Sequence, residues 1–290
     1  MQNKRFLGKN SELVKRVKKL ALKKYRNIYG MYIIESKKLI LEALKSDAKI
    51  LQIILREDID QEAFIAEVEN YKLKNEEAED LRSENQIKRA SGAEIKDKIF
   101  YLTKDFFSNL SKLESCDGYM AILEIDDLSI QVNGRFNEEK PIDNLSLEFE
   151  KYDRIIVMDR IQDPGNVGTI VRSAEAFGFN LVLSLESSDF YILKTLRASM
   201  GSIFRLKCLN IGEKDLLKLK KTHKILALDM KGEEEFPKDG KICLIVGNEG
   251  RGISNFCKDI SDEIISIPMQ GQVESLNAAI SISIVMSKFI

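Results

Sequence analysis

The chain has 290 residues, 44% hydrophobic and 31% charged, the balance of a globular protein with one large or two medium domains. The opening KRFLGKNSELVKR lacks the apolar core of a signal peptide, and no apolar run approaches the roughly 20 residues that span a bilayer, so a cytoplasmic protein is expected. Cys116, Cys208, Cys243 and Cys257 form no CxxC pair and His223 is the single histidine, which argues against a zinc site built from Cys and His and fits idle, reduced thiols.

Net charge is −1, unevenly spread. Residues 1–30 carry ten basic side chains against Glu12 alone, a net +9, which leaves −10 on the remainder. A basic N-terminal segment on an otherwise acidic chain points to a polyanion, RNA or DNA, although a solvated helix face reads the same way.

In chain order, the spacing predicts a helix over 10–28, with Leu13, Val14, Val17, Leu20 and Ala21 as its apolar stripe. MYIIE (31–35) is a short strand. Ser36 is placed to cap a helix whose face is Leu39, Ile40, Ala43 and Leu44. KILQIIL (49–55) is the next strand. Residues 60–98 are charged and helix-prone, without an apolar stripe after Tyr71, and read as a helical extension or insertion rather than core. LTKDFFSNL suggests a helix and GYMAILEI (118–125) a strand. Residues 126–150 are polar and weakly periodic and are taken as a linker between domains 1–125 and 151–290.

The second half alternates short apolar runs with helical patterns. RIIVM (154–158), NLVLS (180–184), KILALDM (224–230), ICLIV (242–246) and EIISI (263–267) are strands. A helix over 166–177 has Val167, Ile170, Val171, Ala174 and Phe177 on one face and stops at Gly178; another helix falls near 213–221. This pattern argues for a mostly parallel α/β sheet.

LIVGNEGRGIS (244–254) looks at first like a phosphate loop. The spacing from Gly247 to Gly252 matches GxxxxGK[ST], but Ile253 replaces the lysine, and Glu249 would repel phosphate. The order GxxGxG does not match the dinucleotide fingerprint GxGxxG, so an NAD-dependent oxidoreductase has only scrambled glycines behind it. Glycines permitting close backbone approach to a nucleoside-like or cationic ligand, or simply a tight turn, remain as readings. Two further loops resemble this one in kind. DPGNVGTIVRSAEAFG (163–178) has Asp163 or Asn166 as a helix cap and Arg172 off the apolar stripe. IPMQGQVESLNAAISI (267–282) has Ser275 as a cap and Asn277 in the first turn. All three follow apolar strands, where open α/β sheets bind ligands.

These three segments, in this order, resemble the motifs of the SpoU–TrmH family of RNA ribose 2′-O-methyltransferases, of the SPOUT class. LALKKYRNIYGMYIIESKKLILEAL and LESCDGYMAILEI resemble the opening and closing strand of the family's ribosomal-protein-like RNA-binding domain, so the likeness spans nearly the whole chain. Ser36 departs from it, standing where that domain usually has Gly. The resemblance implies an α/β fold: a C-terminal trefoil-knotted, mostly parallel sheet behind a smaller N-terminal α/β RNA-binding domain. It implies a homodimer and S-adenosylmethionine as methyl donor, held by backbone around Gly247, Ile267 and Leu276. Asn166, Arg172, Glu249, Ser275 and Asn277 would line the reaction site, and Lys18, Lys19, Lys23, Lys24 and Arg26 would meet RNA. Ribosomal RNA is favoured as substrate over transfer RNA. A catalytically silent RNA-binding protein of the same fold is the alternative. No cysteine lies in the motifs to attack a pyrimidine ring, which argues against methylation of base carbon.

Overall fold

The computed structural model describes residues 4–46, 48–79, 92–113, 115–125, 149–237, 239–271 and 275–290. The chain divides into two compact units, Met1–Ile125 and Asp126–Ile290. Most of the proposed linker, residues 126–148, lies outside the described residues, and Phe149 is fully buried in the core of the second unit. Among the described residues, no helix is long and apolar enough to cross a membrane.

In the first unit the expected helix over 10–28 is two helices, α1 (Glu12–Leu20) and α2 (Lys23–Tyr29). Leu22 is extended (φ −102°, ψ 133°) and breaks the run. Arg26 stabilises the break: its guanidinium donates to the carbonyls of Leu20 and Ala21 at 2.8 and 3.0 Å, satisfying acceptors that end α1. Val14, Val17 and Leu20 form the buried face of α1.

The sheet that follows has β1 (Met31–Glu35), β2 (Ile50–Arg56), β3 (Ile99–Leu102) and β4 (Tyr119–Glu124), ordered β1-β4-β2-β3. Among the described strands of this sheet only β2 and β3 pair in parallel, and an isolated bridge from Phe6 to Tyr101 is parallel too. The strand β3 has no counterpart in the sequence reading, which began the next element at Leu102 as helix. The helices are α3 (Lys37–Leu44), α4 (Gln61–Glu79), α5 (Gly92–Asp97) and α6 (Lys104–Leu110). Phe64, Ile65, Val68 and Ile95 are buried, so the ends of the charged 60–98 stretch belong to the core; residues 80–91 lie outside the described residues. Three apolar positions at helical spacing suffice to dock α4, and the charged remainder hides them in composition.

Among the described residues the second unit is built on a six-stranded sheet, all of its pairings parallel, in the order β10-β8-β9-β5-β6-β7. The strands are β5 (Arg154–Asp159), β6 (Leu181–Leu185), β7 (Lys207–Asn210), β8 (Lys224–Glu233), β9 (Ile242–Gly247) and β10 (Glu263–Ile265). The helices are α7 (Pro164–Ala176), α8 (Leu193–Ala198), α9 (Glu213–Leu219), α10 (Asn255–Ile260) and α11 (Ala278–Met286). Every residue of β6 and β9 is buried, as continuous apolar strands covered on both faces require. Gly168 lets α7 and α8 touch: a Cβ there would lie 2.4 Å from the Thr195 carbonyl oxygen. His223 is buried, bridging the Thr222 hydroxyl (2.8 Å) and the Tyr152 carbonyl (2.7 Å), and burial lowers its pKa. That is a structural role.

The helix 166–177 begins earlier, at Pro164, with Asp163 as cap accepting from the Gly165 amide at 3.1 Å. Gly178 ends it at φ 75°. The ISISI alternation near the terminus is helical in α11, capped by Asn277 and not by Ser275. Its isoleucines alternate in sequence, yet Ile282 is buried while Ile280 and Ile284 are exposed, which suits a helix wrapped only in part.

Ser36 sits at φ 121°, ψ 146°, a region favouring glycine, while its hydroxyl caps α3 by accepting from the Leu39 amide at 3.3 Å. Backbone strain of this kind costs about 1–3 kcal/mol. Replacing a Ser cap by Gly costs only a few tenths, and the added freedom of the unfolded chain about 0.4–1 kcal/mol. Ser36→Gly is therefore expected to stabilise the protein by about 1 kcal/mol, read as a raised midpoint in urea unfolding.

Candidate active site

Strand order reverses between β5 and β9: β6 and β7 lie to one side, β8 and β10 to the other. The register pairs Asp159 with Gly247, the last residues of the two strands. Their following loops therefore leave the sheet side by side, at the place where open parallel sheets leave a crevice.

Asp159 is fully buried. Its carboxylate accepts from the Ser254 amide at 2.5 Å and from Arg160 Nε at 3.0 Å. Arg160, at φ 58°, reaches on to the Gly252 carbonyl at 3.5 Å. Asn248 returns the grip: its Nδ2 donates to the Arg160 carbonyl at 3.1 Å, and its Oδ1 accepts from the amides of Gly250 and Arg251 at 3.0 and 3.1 Å. The loop after β9 is thus tied to itself and to the end of β5. Its glycines have separate reasons. At Gly247 a Cβ would lie 2.3 Å from the Ile253 nitrogen, where the loop folds back, and Gly252 holds φ 67°. The glycines first fold the loop; approach to a ligand is a consequence.

A pocket of about 520 Å³ opens beside this loop. Gly247, Ile267 and Leu276, the expected cofactor residues, all line it, with Glu249 and Ser275. Asp229 and Met230 from β8 and Met269 complete its walls. Burial alone would raise the Asp229 pKa, but Lys258 Nζ at 2.9 Å and nearby backbone amides hold it below the ordinary value, so Asp229 stands in the wall as a carboxylate paired with Lys258.

At the rim three motif residues meet. Asn277 Nδ2 donates to Asn166 Oδ1 at 3.0 Å, and Asn166 Nδ2 donates to Glu249 Oε1. Residues 111 and 83 positions apart are thereby joined in one chain of hydrogen bonds. Asp163 makes this arrangement available: because it caps α7, Asn166 is left inside the first turn with its amide free to turn outward. Ser283 and Ser173, joined through their hydroxyls at 2.7 Å, fasten α11 to α7 behind the site.

Arg172 is exposed on α7, six residues and about 9 Å of helix beyond Asn166. It does not line the pocket and makes no hydrogen bond or ion pair with any described residue. Sequence reasoning missed Asp159, Arg160, Asn248 and Asp229. The signal for Asp159 was an ionisable residue closing an apolar strand, whose carboxylate needs N–H donors from the loops around it.

Two family models cover the chain in turn: the MRM3-like substrate binding domain matches residues 11–121 and the SpoU rRNA Methylase family matches 153–287. A 23S rRNA (guanosine(2553)-2′-O)-methyltransferase of Bacillus subtilis is 27% identical over 95% of both chains. An uncharacterized tRNA/rRNA methyltransferase of Borreliella burgdorferi is 32% identical over 51% of this chain and 69% of its own length. The chain belongs to the SpoU rRNA methylase family. An S-adenosylmethionine-bound rRNA methyltransferase of Sinorhizobium meliloti superposes with a TM-score of 0.73 at 20% identity, over 98% of this chain and 95% of that one. The cofactor complex of the SpoU methyltransferase AviRb from Streptomyces viridochromogenes gives 0.72 at 19%, over 96% and 97%. These two likenesses establish the common SpoU fold.

In the substrate-binding unit, Lys18, Lys19, Lys23 and Lys24 are exposed. Arg26 is not: it is 4% exposed and spent on the α1 carbonyls, so the expectation that it meets RNA is replaced by a structural role.

The two reasons for glycine in the loop separate by substitution. Gly247→Ala should destabilise the protein by about 3 kcal/mol, the upper end of overpacking costs. Gly250→Ala, whose Cβ would find its nearest neighbour at 3.7 Å, should stay within about 0.5 kcal/mol. Urea unfolding of the two variants measures both.

Proposed function

We propose that the protein is an S-adenosylmethionine-dependent RNA methyltransferase that modifies a ribose 2′-hydroxyl in ribosomal RNA. The observation that carries this reading is the hydrogen-bonded chain Asn277–Asn166–Glu249 at the rim of the pocket bounded by Gly247, Ile267 and Leu276. Family membership, and the 23S rRNA ribose activities for which the Bacillus subtilis relative and a Streptomyces viridochromogenes relative (33% identical over 49% of this chain and 54% of its own) are named, support it.

The pocket suits the cofactor. Its volume falls within the roughly 300–1,000 Å³ of small-molecule sites. Backbone at Gly247, Ile267 and Leu276 offers donors and acceptors for an adenosine, and the Glu249 carboxylate favours a cation. When bound, S-adenosylmethionine supplies an electrophilic methyl on a positively charged sulfur. The protein's own work is placement: aligning the 2′-oxygen with that carbon supplies about 7–11 kcal/mol of the barrier in well-oriented systems. Asn166, fixed from both sides, orients the ribose. Ser275, in the pocket wall, offers a hydroxyl beside the reacting groups.

Arg172 is a poor general base, since an arginine pKa is roughly 12.5–13.8. Its exposed guanidinium is suited to grip the phosphate next to the target nucleotide and to stabilise charge developing on the 2′-oxygen. Lys18, Lys19, Lys23 and Lys24 of the substrate-binding unit add phosphate contacts that raise affinity without choosing sequence.

Three finer features belong to the same reading. The end of the chain threads a trefoil knot, the protein assembles as a homodimer, and it works in the cytoplasm. Apolar Ile280 and Ile284, one turn apart on α11 and 53% and 36% exposed, support a subunit contact along that helix.

The direct experiment compares 2′-O-methyl maps of ribosomal RNA from cells with and without the gene; no lost position would end the proposal. In vitro, Arg172→Ala should reduce methyl transfer at least 100-fold. Arg172→Lys, which keeps charge and loses the planar fork, should fall between the two. Full activity of Arg172→Ala would remove the assigned role.

Asn277→Asp separates site from fold. Aspartate caps a helix as well as asparagine does, but it cannot donate to Asn166. The variant should keep its melting temperature within a few degrees and lose most of its transfer rate. Retained activity would exclude a functional role for the hydrogen-bond chain.

A further inference from the structure

The break between α1 and α2 leaves an apolar face that neither the core nor the phosphate contacts explain. Leu22 is 59% exposed and Ile28 49% exposed. Tyr25, Ile28 and Tyr29 lie within about 100° of the α2 circumference, and Leu22 immediately precedes that helix. The rings of Tyr25 and Tyr29 are stacked, 6.1 Å between centroids and 18° between planes. Tyr29 packs partly on the core and so anchors the pair. Lys19 Nζ stands 5.6 and 5.9 Å from the two centroids and 3.3 Å from the Tyr29 hydroxyl.

The surroundings are of one sign. Between Glu12 and Glu35 the chain has no acidic residue and carries Lys15, Arg16, Lys18, Lys19, Lys23, Lys24 and Arg26. A face prepared for another protein has no need to exclude carboxylates so thoroughly. A nucleic acid needs both halves of what is here: cations for phosphate and aromatic surface for bases.

We propose that this corner holds an unpaired nucleotide of the RNA, its base stacked against Tyr25 beside Leu22 and Ile28, with the neighbouring phosphates on Lys23 and Lys24. The inference rests on the RNA reading above and narrows it: the substrate presents single-stranded residues to the first unit. A paired base in an A-form helix keeps its face inside the stack and cannot reach a tyrosine, whereas a loop or bulge base is free to do so.

The test uses the full chain with two probes, a single-stranded RNA carrying 2-aminopurine and a blunt duplex of the same sequence. Binding of the single strand should quench the 2-aminopurine. Tyr25→Ala should weaken single-strand binding about tenfold, leave duplex binding unchanged and leave the salt dependence unchanged. Tyr25→Phe should bind as the parent does. The double variant Lys23→Ala with Lys24→Ala should instead flatten the salt dependence, by about 0.7 in the log–log slope per lost phosphate contact on a single strand. Leu22→Ser, on an exposed extended residue, repeats the test should Tyr25→Ala fold poorly. Equal losses on both probes, or none on either while the parent binds RNA, would overturn the stacking site and leave the RNA reading standing. A change in the sedimentation of the RNA-free protein on Tyr25→Ala would also overturn it, making the face a contact between copies. Failure of the parent to bind either probe would remove both readings together.

Discussion

The geometry of the site follows from one helix cap. Asn277 has one side-chain acceptor, and α11 takes it: Oδ1 receives the amides of Ala279 and Ile280 at 2.9 and 3.2 Å. Its amide nitrogen has no choice but to face outward, where it donates to Asn166. Asn166 then must offer its oxygen to Asn277 and its nitrogen to Glu249. The orientation of two amides, normally ambiguous, is dictated in sequence by four unsatisfied N–H groups at the start of a helix. Glu249 at the end of the chain is left as a pure acceptor, which keeps a carboxylate aimed at the rim of the pocket. A functional arrangement thus inherits its polarity from a requirement of folding.

The loop that carries Glu249 is held by a different device. Burying the Asp159 carboxylate costs several kcal/mol unless it is both paired and hydrogen-bonded. Arg160 and the Ser254 amide meet both conditions, and each belongs to a loop that borders the site. The cost of an unpaired charge makes the closed arrangement of the 248–254 loop strongly preferred over any open one. Asn248 then stitches the loop internally, so a segment rich in glycine is rigid. Glycine content alone suggests mobility; here Gly247, which ends β9, is required by crowding and Gly252 by a left-handed backbone, and neither condition implies freedom.

Much of this was legible in the residues. Strands with unbroken apolar runs, such as ICLIV, leave no alternative to a sheet covered on both faces, and the three strand-end loops announced a shared site before any pairing was known. What escaped was set by partners distant in sequence. The basic run 10–28 has continuous helical periodicity, and nothing local says that Arg26 will fold back to end α1 at Leu20. The strand IFYL is four residues long, too short for alternation to register, and becomes a strand by pairing with Ile53–Arg56 and with the segment around Phe6. Ser275 and Asn277 are both good caps by composition; the helix begins two residues later than Ser275 would set it, where Asn277 Oδ1 accepts from the first-turn amides while Nδ2 donates to Asn166, a partner 111 positions away.

The same logic separates the roles of the basic residues. Charge alone assigned Arg26 to RNA together with its neighbours, but a guanidinium has five donors in a fixed plane and finds carbonyls within reach, whereas an ammonium on a flexible stem stays hydrated. The helix break it stabilises turns the second helix so that Tyr25, Ile28 and the preceding Leu22 emerge among lysines that remain free to meet phosphate. A continuous helix over 10–28 would have carried α1's apolar stripe forward in the same plane and left no such corner. One buried arginine therefore converts a uniformly basic helix into a surface with two chemistries, cationic for the strand and aromatic for the base.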